Sequence, residues 1–398
     1  MILRAIKELS AQVLPDVIRI RRHLHQHPEL SFQEYATSDY IKSQVDEMGI
    51  SWQPIAGTGV LATIEGESPE SNAVALRADI DALPIQEMNT VDYASKNPGV
   101  MHACGHDFHT SSLLGTAMIL QHCRGKFKGS VKLLFQPGEE VLPGGATLMI
   151  KEGALQNPAP TAVIGQHAMP RIPVGKIGIR KGKHMASMDS VSIRIIGKGG
   201  HGAEPDTLVD PVVIASHVIV ALQQIVSRMA SPKEPSVLSF GKVVANGAFN
   251  VIPDEVHLEG TFRTMNEAWR EKALGFIENM ARTVTAGMGG TCEVRIGRGY
   301  PCLVNEEKLT TNVRNDAIEY LGEENVIDED IWMASEDFAY YAEKASSCFY
   351  LCGVGSEEKG IGSPLHSPTF NIDEDALGTS MGLMAYIAVK RLNGLSAC

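Results

Sequence analysis

Residues 101–110 read Met-His-Ala-Cys-Gly-His-Asp-Phe-His-Thr, so one thiol, three imidazoles and a carboxylate share ten positions of a 398-residue chain with only 7 Cys and 13 His. Such side chains bind transition metals and move protons. As core filler they would be costly, because each buried polar atom needs a partner. The cluster points to a metal site. Cys104 and His106, with Gly105 between them, can turn toward one ion. Glu140, His167 and His366 are the further candidate ligands, each expected in a Gly- or Pro-flanked loop. A catalytic site takes imidazole, carboxylate and thiolate and keeps a position open, whereas closed structural zinc sites are richer in cysteine. Ionised Cys104 and Glu140 can offset much of the charge of two dications, and two-metal centres are a common device for hydrolysis.

Glu139-Glu140 is the second informative pair. Side chains alternate at a strand end, so adjacent carboxylates point different ways. One can hold metal while its neighbour accepts a proton from water and later returns it to a leaving amine.

The elements that must position these groups follow from periodicity. Ile2, Ile6, Leu9, Val13, Val17, Ile20 and Leu24 mark one helical face, stopped before Pro28. Residues 34–48 predict a second helix, ended at Gly49. Strands are then expected at 74–80, 131–136 and 162–165, with helices at 110–121 and 146–151 between them. This β-α-β-α order predicts an α/β fold, a mostly parallel sheet flanked by helices. Asp79, Asp81, Glu139, Glu140 and His167 then fall just past strand carboxyl ends, the edge where open α/β sheets bind ligands. Residues 186–297 change pattern to β-α-β-β-α-β, expected to be an inserted ferredoxin-like α+β domain. Residues 1–185 and 298–398 would form the two parts of the catalytic domain.

Composition narrows the function. A hydrophobic content of 44% with 21% charged residues is that of an ordinary globular protein. The net charge of −12 argues against nucleic-acid and anionic-membrane partners. Residues 212–226 are apolar, but Ser216, His217, Gln223 and Gln224 make that stretch fall short of a membrane span. The N-terminal residues lack the basic-then-apolar order of a signal peptide. The odd, scattered cysteines fit reduced thiols in a cytoplasm.

The chain resembles the metallo-amidohydrolases of the aminoacylase and carboxypeptidase G class, closest to the N-acyl-amino-acid amidohydrolases, hippurate hydrolases and indole-acetyl-amino-acid hydrolases. The matching motifs are Arg22-x-x-His25-x-x-Pro28-Glu29, Ala78-Asp79-Ile80-Asp81-Ala82-Leu83-Pro84, Met101 to Asp107, Phe135 to Glu140, Gly200-His201-Gly202-Ala203, Asn250-Val251-Ile252-Pro253, Ser335-Glu336-Asp337-Phe338 and His366-Ser367-Pro368. The resemblance implies a phosphorylase/hydrolase-like catalytic domain and two divalent metal ions. Cys104 would bridge them, His106 and His167 would complete one site, and Glu140 and His366 the other. It makes Glu139 the general base and acid, and Asp79 and Asp81 orienting groups behind the ligands. His201 would stabilise the oxyanion, reaching the site of a partner subunit, and Asn250 and Arg263 would grip the substrate carboxylate. The wider class has His-x-Asp where this chain has Asp79-Ile80-Asp81, and an Asp in place of Cys104. The thiolate favours zinc, while relatives are described with manganese, nickel or cobalt. The implied activity is hydrolysis of N-acyl amino acids by a homodimer paired through the inserted domain. Alternatives are a dipeptidase or carboxypeptidase on the same scaffold, a binding protein that has lost catalysis, and a hydrolase using Cys104 as nucleophile.

Overall fold

Apolar spacing makes Ile2–Gln26 one helix that continues through Pro15 and buries Ile6, Val17, Ile20 and Leu24. The computed structural model describes residues 2–394. They divide into two units. The first takes the chain up to Gly182, Val304–Asp330 and the chain from Asp337 onward; the second takes Lys183–Leu303 and Ile331–Glu336.

The first unit is built on an eight-stranded sheet in the order Ser51–Ile55, Gly59–Glu65, Ser130–Gln136, Ala73–Asp79, Ala162–Pro173, Ser347–Gly355, Ile177–Ile179 and Val326–Asp328. The four strands from Ser130–Gln136 to Ser347–Gly355 run parallel to one another. Gly59–Glu65 joins them antiparallel, as does Ile177–Ile179 on the other side. Helices Ile2–Gln26, His106–His122 and Ala376–Gly394 pack together. Phe108, Leu113, Leu114, Met381 and Leu383 belong to the core that also holds Val74, Leu76 and Leu133 of the strands.

Periodicity does not reveal Ser51–Ile55, whose residues are mostly exposed. Pro54 is tolerated there because the strand is at the edge. The strand expected at 162–165 extends to Pro173, because the parallel neighbour Ser347–Gly355 pairs along it, with Leu351 opposite His167.

The second unit has strands Ser187–Ile196, Ser236–Val244, Glu255–Thr264 and Thr291–Arg298, with helices Pro211–Gln224 and Glu267–Gly287. The sheet order, Ser236–Val244, Glu255–Thr264, Ser187–Ile196, Thr291–Arg298, is all antiparallel and ferredoxin-like. Asp210 caps the first helix by accepting from the backbone N–H of Val212 and Val213. By length and composition alone, Pro211–Met229, with mean hydropathy 1.5, is long and apolar enough to cross a membrane, contrary to the sequence reading of that stretch. Here Ile214, Ala215, Val218 and Leu222 join the core of this unit with Val191, Ile193 and Leu258 of the sheet.

One buried ion pair ties this unit together. Arg270 donates from Nε and Nη2 to the two oxygens of Asp189, each at 2.7 Å, and from Nη2 to Gly299 O at 3.0 Å. Removing one partner leaves an uncompensated charge in the interior. Arg270→Met is expected to lose about 3–5 kcal/mol of stability in urea unfolding, and a loss within experimental error would show that the pair carries no structural weight.

Candidate metal centre

Asp79 ends Ala73–Asp79 and pairs in parallel register with Gln136, the last residue of the neighbouring strand. The loops carrying Asp81 and Glu139-Glu140 therefore leave the sheet side by side. The helix His106–His122 begins beside this edge, entered through Gly105 at φ 88°. A Cβ at Gly105 would lie 2.9 Å from Ala168 Cβ, so only glycine fits both the backbone and the space.

Cys104, Glu140 and His366 lie in loops, as expected. His106 and His167 do not: His106 opens a helix, and His167 sits inside the extended strand Ala162–Pro173. All five nevertheless converge. Cys104 Sγ is 3.4 Å from His167 Nε2 and 3.3 Å from His366 Nε2. Glu140 Oε1 is 3.4 Å from His366 Nε2 and 3.9 Å from His106 Nε2. Ligand-capable atoms of Cys104, His106 and His167 lie within 4.8 Å of one another, and so do those of Cys104, Glu140 and His366. The thiol is common to both groups. Glu139 joins His106 and Glu140 in a third such group. His366 is exposed while Cys104, His106 and His167 are buried, so the cluster opens to solvent on the His366 side.

The ring nitrogens are set for coordination. His167 donates from Nδ1 to Ala168 O at 2.8 Å, leaving the Nε2 lone pair toward the thiol. His106 places Nδ1 3.0 Å from Asp81 Oδ1 and has no hydrogen-bond partner on its buried Nε2. Glu140 Oε1 is likewise buried without one. Two orphaned polar atoms 3.9 Å apart, beside a thiol and two imidazoles, fit a divalent cation by donor chemistry.

The electrostatics agree. Burial alone would lower the His106 pKa, but Asp79 and Asp81 outweigh it and push it up to about 10. Burial, then the charges of Glu140, Glu139 and Asp79, holds the Cys104 thiol well above its ordinary range. A cluster this acid-rich retains protons that a cation would replace.

A layer behind the candidate ligands fixes them. Asp81 accepts from Ser31 Oγ at 2.6 Å and from the Glu140 N–H at 3.0 Å, while its other oxygen faces His106. One carboxylate thus aligns two candidate ligands on separate segments. Asp79 takes Arg77 Nη1 at 2.6 Å and His109 Nδ1 at 2.5 Å. His109 is locked in that tautomer because its Nε2 accepts the Ala168 N–H at 2.8 Å.

Sequence reasoning missed Glu34 and Arg77. Buried Glu34 accepts from Thr58 Oγ1 at 2.6 Å and from the N–H groups of Phe32 and Gly138, both at 2.8 Å, and so anchors the loop that carries Glu139. Gly138 has φ 57°, and a Cβ there would meet the Phe32 ring at 2.3 Å. Arg77 joins Asp79 to Asp337 Oδ1 at 2.8 Å. The apolar look of its strand hid it; Glu34 had no signal beyond a charge beside a helix start.

His201, Asn250 and Arg263 belong to the second unit. His201 pairs with Val251 in a short ladder, and the Gly202 N–H donates to Asn250 O at 2.9 Å, so His201 and Asn250 are brought together. Arg263 lies on the strand Glu255–Thr264 and donates from Nη1 to Met333 O at 3.0 Å.

A family model described as peptidase family M20/M25/M40 matches residues 75–390. An N-acetyl-L-cysteine deacetylase of Bacillus subtilis is 43% identical, over 94% of this chain and 88% of that protein. An N-acyl-L-amino acid amidohydrolase of Geobacillus stearothermophilus is 45% identical, over 76% and 81%. A solved Bacillus subtilis structure, the YXEP protein, described as a dinuclear metal binding peptidase from the M20 family, superposes with a TM-score of 0.82 at 36% identity, covering 96% of this chain and 99% of that one.

Because Asp81 holds both His106 and the Glu140 backbone, Asp81→Ala is expected to weaken metal binding about 10–100-fold, read by chelator competition with zinc. Unchanged affinity would remove Asp81 from the support of the site.

Proposed function

The chain belongs to peptidase family M20/M25/M40, and on that premise we propose that it hydrolyses N-acyl amino acids, such as N-acetyl or aromatic N-acyl derivatives, to a carboxylic acid and a free amino acid. The observation that carries this reading is a buried thiol shared by two sets of candidate ligands, with Glu139 beside them. Cys104, His106 and His167 would hold one divalent ion, and Cys104, Glu140 and His366 a second. Zinc or manganese is proposed, with nickel and cobalt as alternatives. When bound, such ions polarise an amide carbonyl and lower the pKa of water.

The residues divide the remaining work. Glu139, buried next to Glu140, accepts the proton of the attacking water and delivers it to the leaving nitrogen. His201 Nδ1 accepts the Ala203 N–H at 3.1 Å, so the ring proton sits on Nε2, free to donate to the developing oxyanion. Asn250, next to the His201 ladder, and the guanidinium of Arg263 take the substrate carboxylate. Arg263 is half-buried, and burial lowers its pKa from the usual arginine range.

We read the first unit as the catalytic domain and the second as a lid and dimerisation domain. Exposed Val212, Val213 and Val220 on its helix and Val237 and Val243 on its edge strand support pairing with a second copy. Through that pairing His201 would act in the partner's site. The six described cysteines are all free, which supports a reducing, cytoplasmic setting.

A panel of N-acetyl, hippuryl and dipeptide substrates tests the reading. N-acyl amino acids are expected to be cleaved, with activity lost to a chelator and restored by added metal. Cleavage of dipeptides alone would favour the peptidase alternative, and chelator-resistant turnover the cysteine nucleophile. Glu139→Gln is expected to lower kcat about 10²–10⁴-fold with metal content retained. Wild-type turnover in that variant would sink the base assignment.

A further inference from the structure

Arg21 is buried completely, as is its partner Asp107. Its Nε donates to Asp107 Oδ2 at 2.8 Å, its Nη2 to Asn371 Oδ1 at 3.1 Å, and its Nη1 reaches Glu374 Oε1 at 3.5 Å. The position of these acceptors gives the contacts their meaning. Asp107 directly follows His106 at the start of its helix, and Asn371 and Glu374 lie at the end of the loop that carries His366.

The same network continues through His25. Its Nδ1 is 2.8 Å from Asp107 Oδ2 and its Nε2 3.0 Å from Glu87 Oε1. Asn89 donates to Glu87 Oε1 and to Phe370 O, both at 2.9 Å, and the Met88 N–H donates to Pro368 O at 2.9 Å. The His366 loop is therefore pinned at residues 368, 370, 371 and 374. His366 itself has φ 60°, a left-handed conformation that a non-glycine residue keeps only where its surroundings impose it. Its N–H donates to Ala103 O at 2.8 Å, next to Cys104.

We propose that Arg21 is a positioning residue that couples the two ligand sets, one buried guanidinium fixing both the start of the helix that carries His106 and the end of the loop that carries His366. This rests on the two-ion reading above. The planar fork is what the task needs: its N–H groups point in fixed, divergent directions, whereas a lysine ammonium is a single point charge. Arg22 does not share the role, because it is partly exposed and its hydrogen bonds go to Glu374, from Nε at 2.9 Å and Nη2 at 2.6 Å, with its guanidinium over the Tyr93 ring. It also keeps Glu374 paired when Arg21 is altered.

Zinc titration with elemental analysis and chelator competition tests the proposal on the wild type, Arg21→Lys and Asn371→Ala. The wild type is expected to bind two ions. Arg21→Lys is expected to bind both ions about tenfold or more weakly, whereas Asn371→Ala, which removes the acceptor on the His366 loop alone, is expected to keep one ion at near wild-type affinity and to weaken the other by about that factor. A lower melting temperature with both zinc affinities unchanged overturns the proposal, since a purely structural residue would behave that way. If Arg21→Lys fails to fold, Asn371→Ala decides alone, because it removes a single acceptor and leaves the buried charge pair intact. A wild-type chain that binds one ion overturns the two-ion reading itself, and the coupling with it.

Discussion

Four carboxylates and a thiol crowd one edge of the large sheet, and the rest of the first unit is arranged around that concentration of acid. Asp79, Asp81, Glu139 and Cys104 are buried, and Glu140 is nearly so. Burying charge is costly unless it is paired. Part of the cost is met within the protein: Arg77 sits on Asp79, backbone and hydroxyl donors sit on Asp81, and His106 is pushed up to about 10. The pairing stops short at the centre, where His106 Nε2 and Glu140 Oε1 face each other without hydrogen bonds. In the proposed enzyme two cations would fill that shortfall and replace the proton held by His106, while Arg77 stays behind the candidate ligands, on Asp79.

Positions that close together demand rigid backbone. Parallel register levels Asp79 with Gln136, and the Ile80 N–H donates to Gln136 O at 3.0 Å, so the two loops start as one unit. Gly105 and Gly138 then turn where a side chain would strike Ala168 or Phe32. Glu34 reaches across to hold Gly138 from below. Five donors from segments up to 262 residues apart, as Cys104 and His366 are, are brought within contact by a few buried carboxylates that each hold two segments. Asp81 and Asp337 both work in this way.

This explains which parts were legible in the sequence. Cys104 and His106 announce themselves as reactive side chains packed around Gly105, and Glu140 because it follows Pro137 and Gly138 at the end of an apolar strand. The inserted βαββαβ pattern is legible because each element has its own period. His167 was misplaced in a loop because strand Ala162–Pro173 is extended by its neighbour Ser347–Gly355, a pairing between distant segments. Ser51–Ile55 escaped because a short, mostly exposed edge strand holding Trp52 and Pro54 shows no clean alternation to read. Arg21, Glu34 and Arg77 escaped for a different reason. A lone charge in a helix or strand reads as solvated, and its burial follows from partners that the local sequence does not name.

In the second unit a reactive group is prepared by contacts of its own segment. The tautomer of His201 is decided within its own turn, by the Ala203 N–H on Nδ1, and the ladder to Val251 fixes the backbone that carries it. Neither contact involves the first unit. In the proposed mechanism the oxyanion donor therefore arrives with its proton already on Nε2, and no reorganisation is needed at the moment charge develops. The two kinds of preparation differ. The first unit concentrates negative charge around its candidate ligands, while the second sets the direction of one ring N–H through a backbone hydrogen bond to Nδ1.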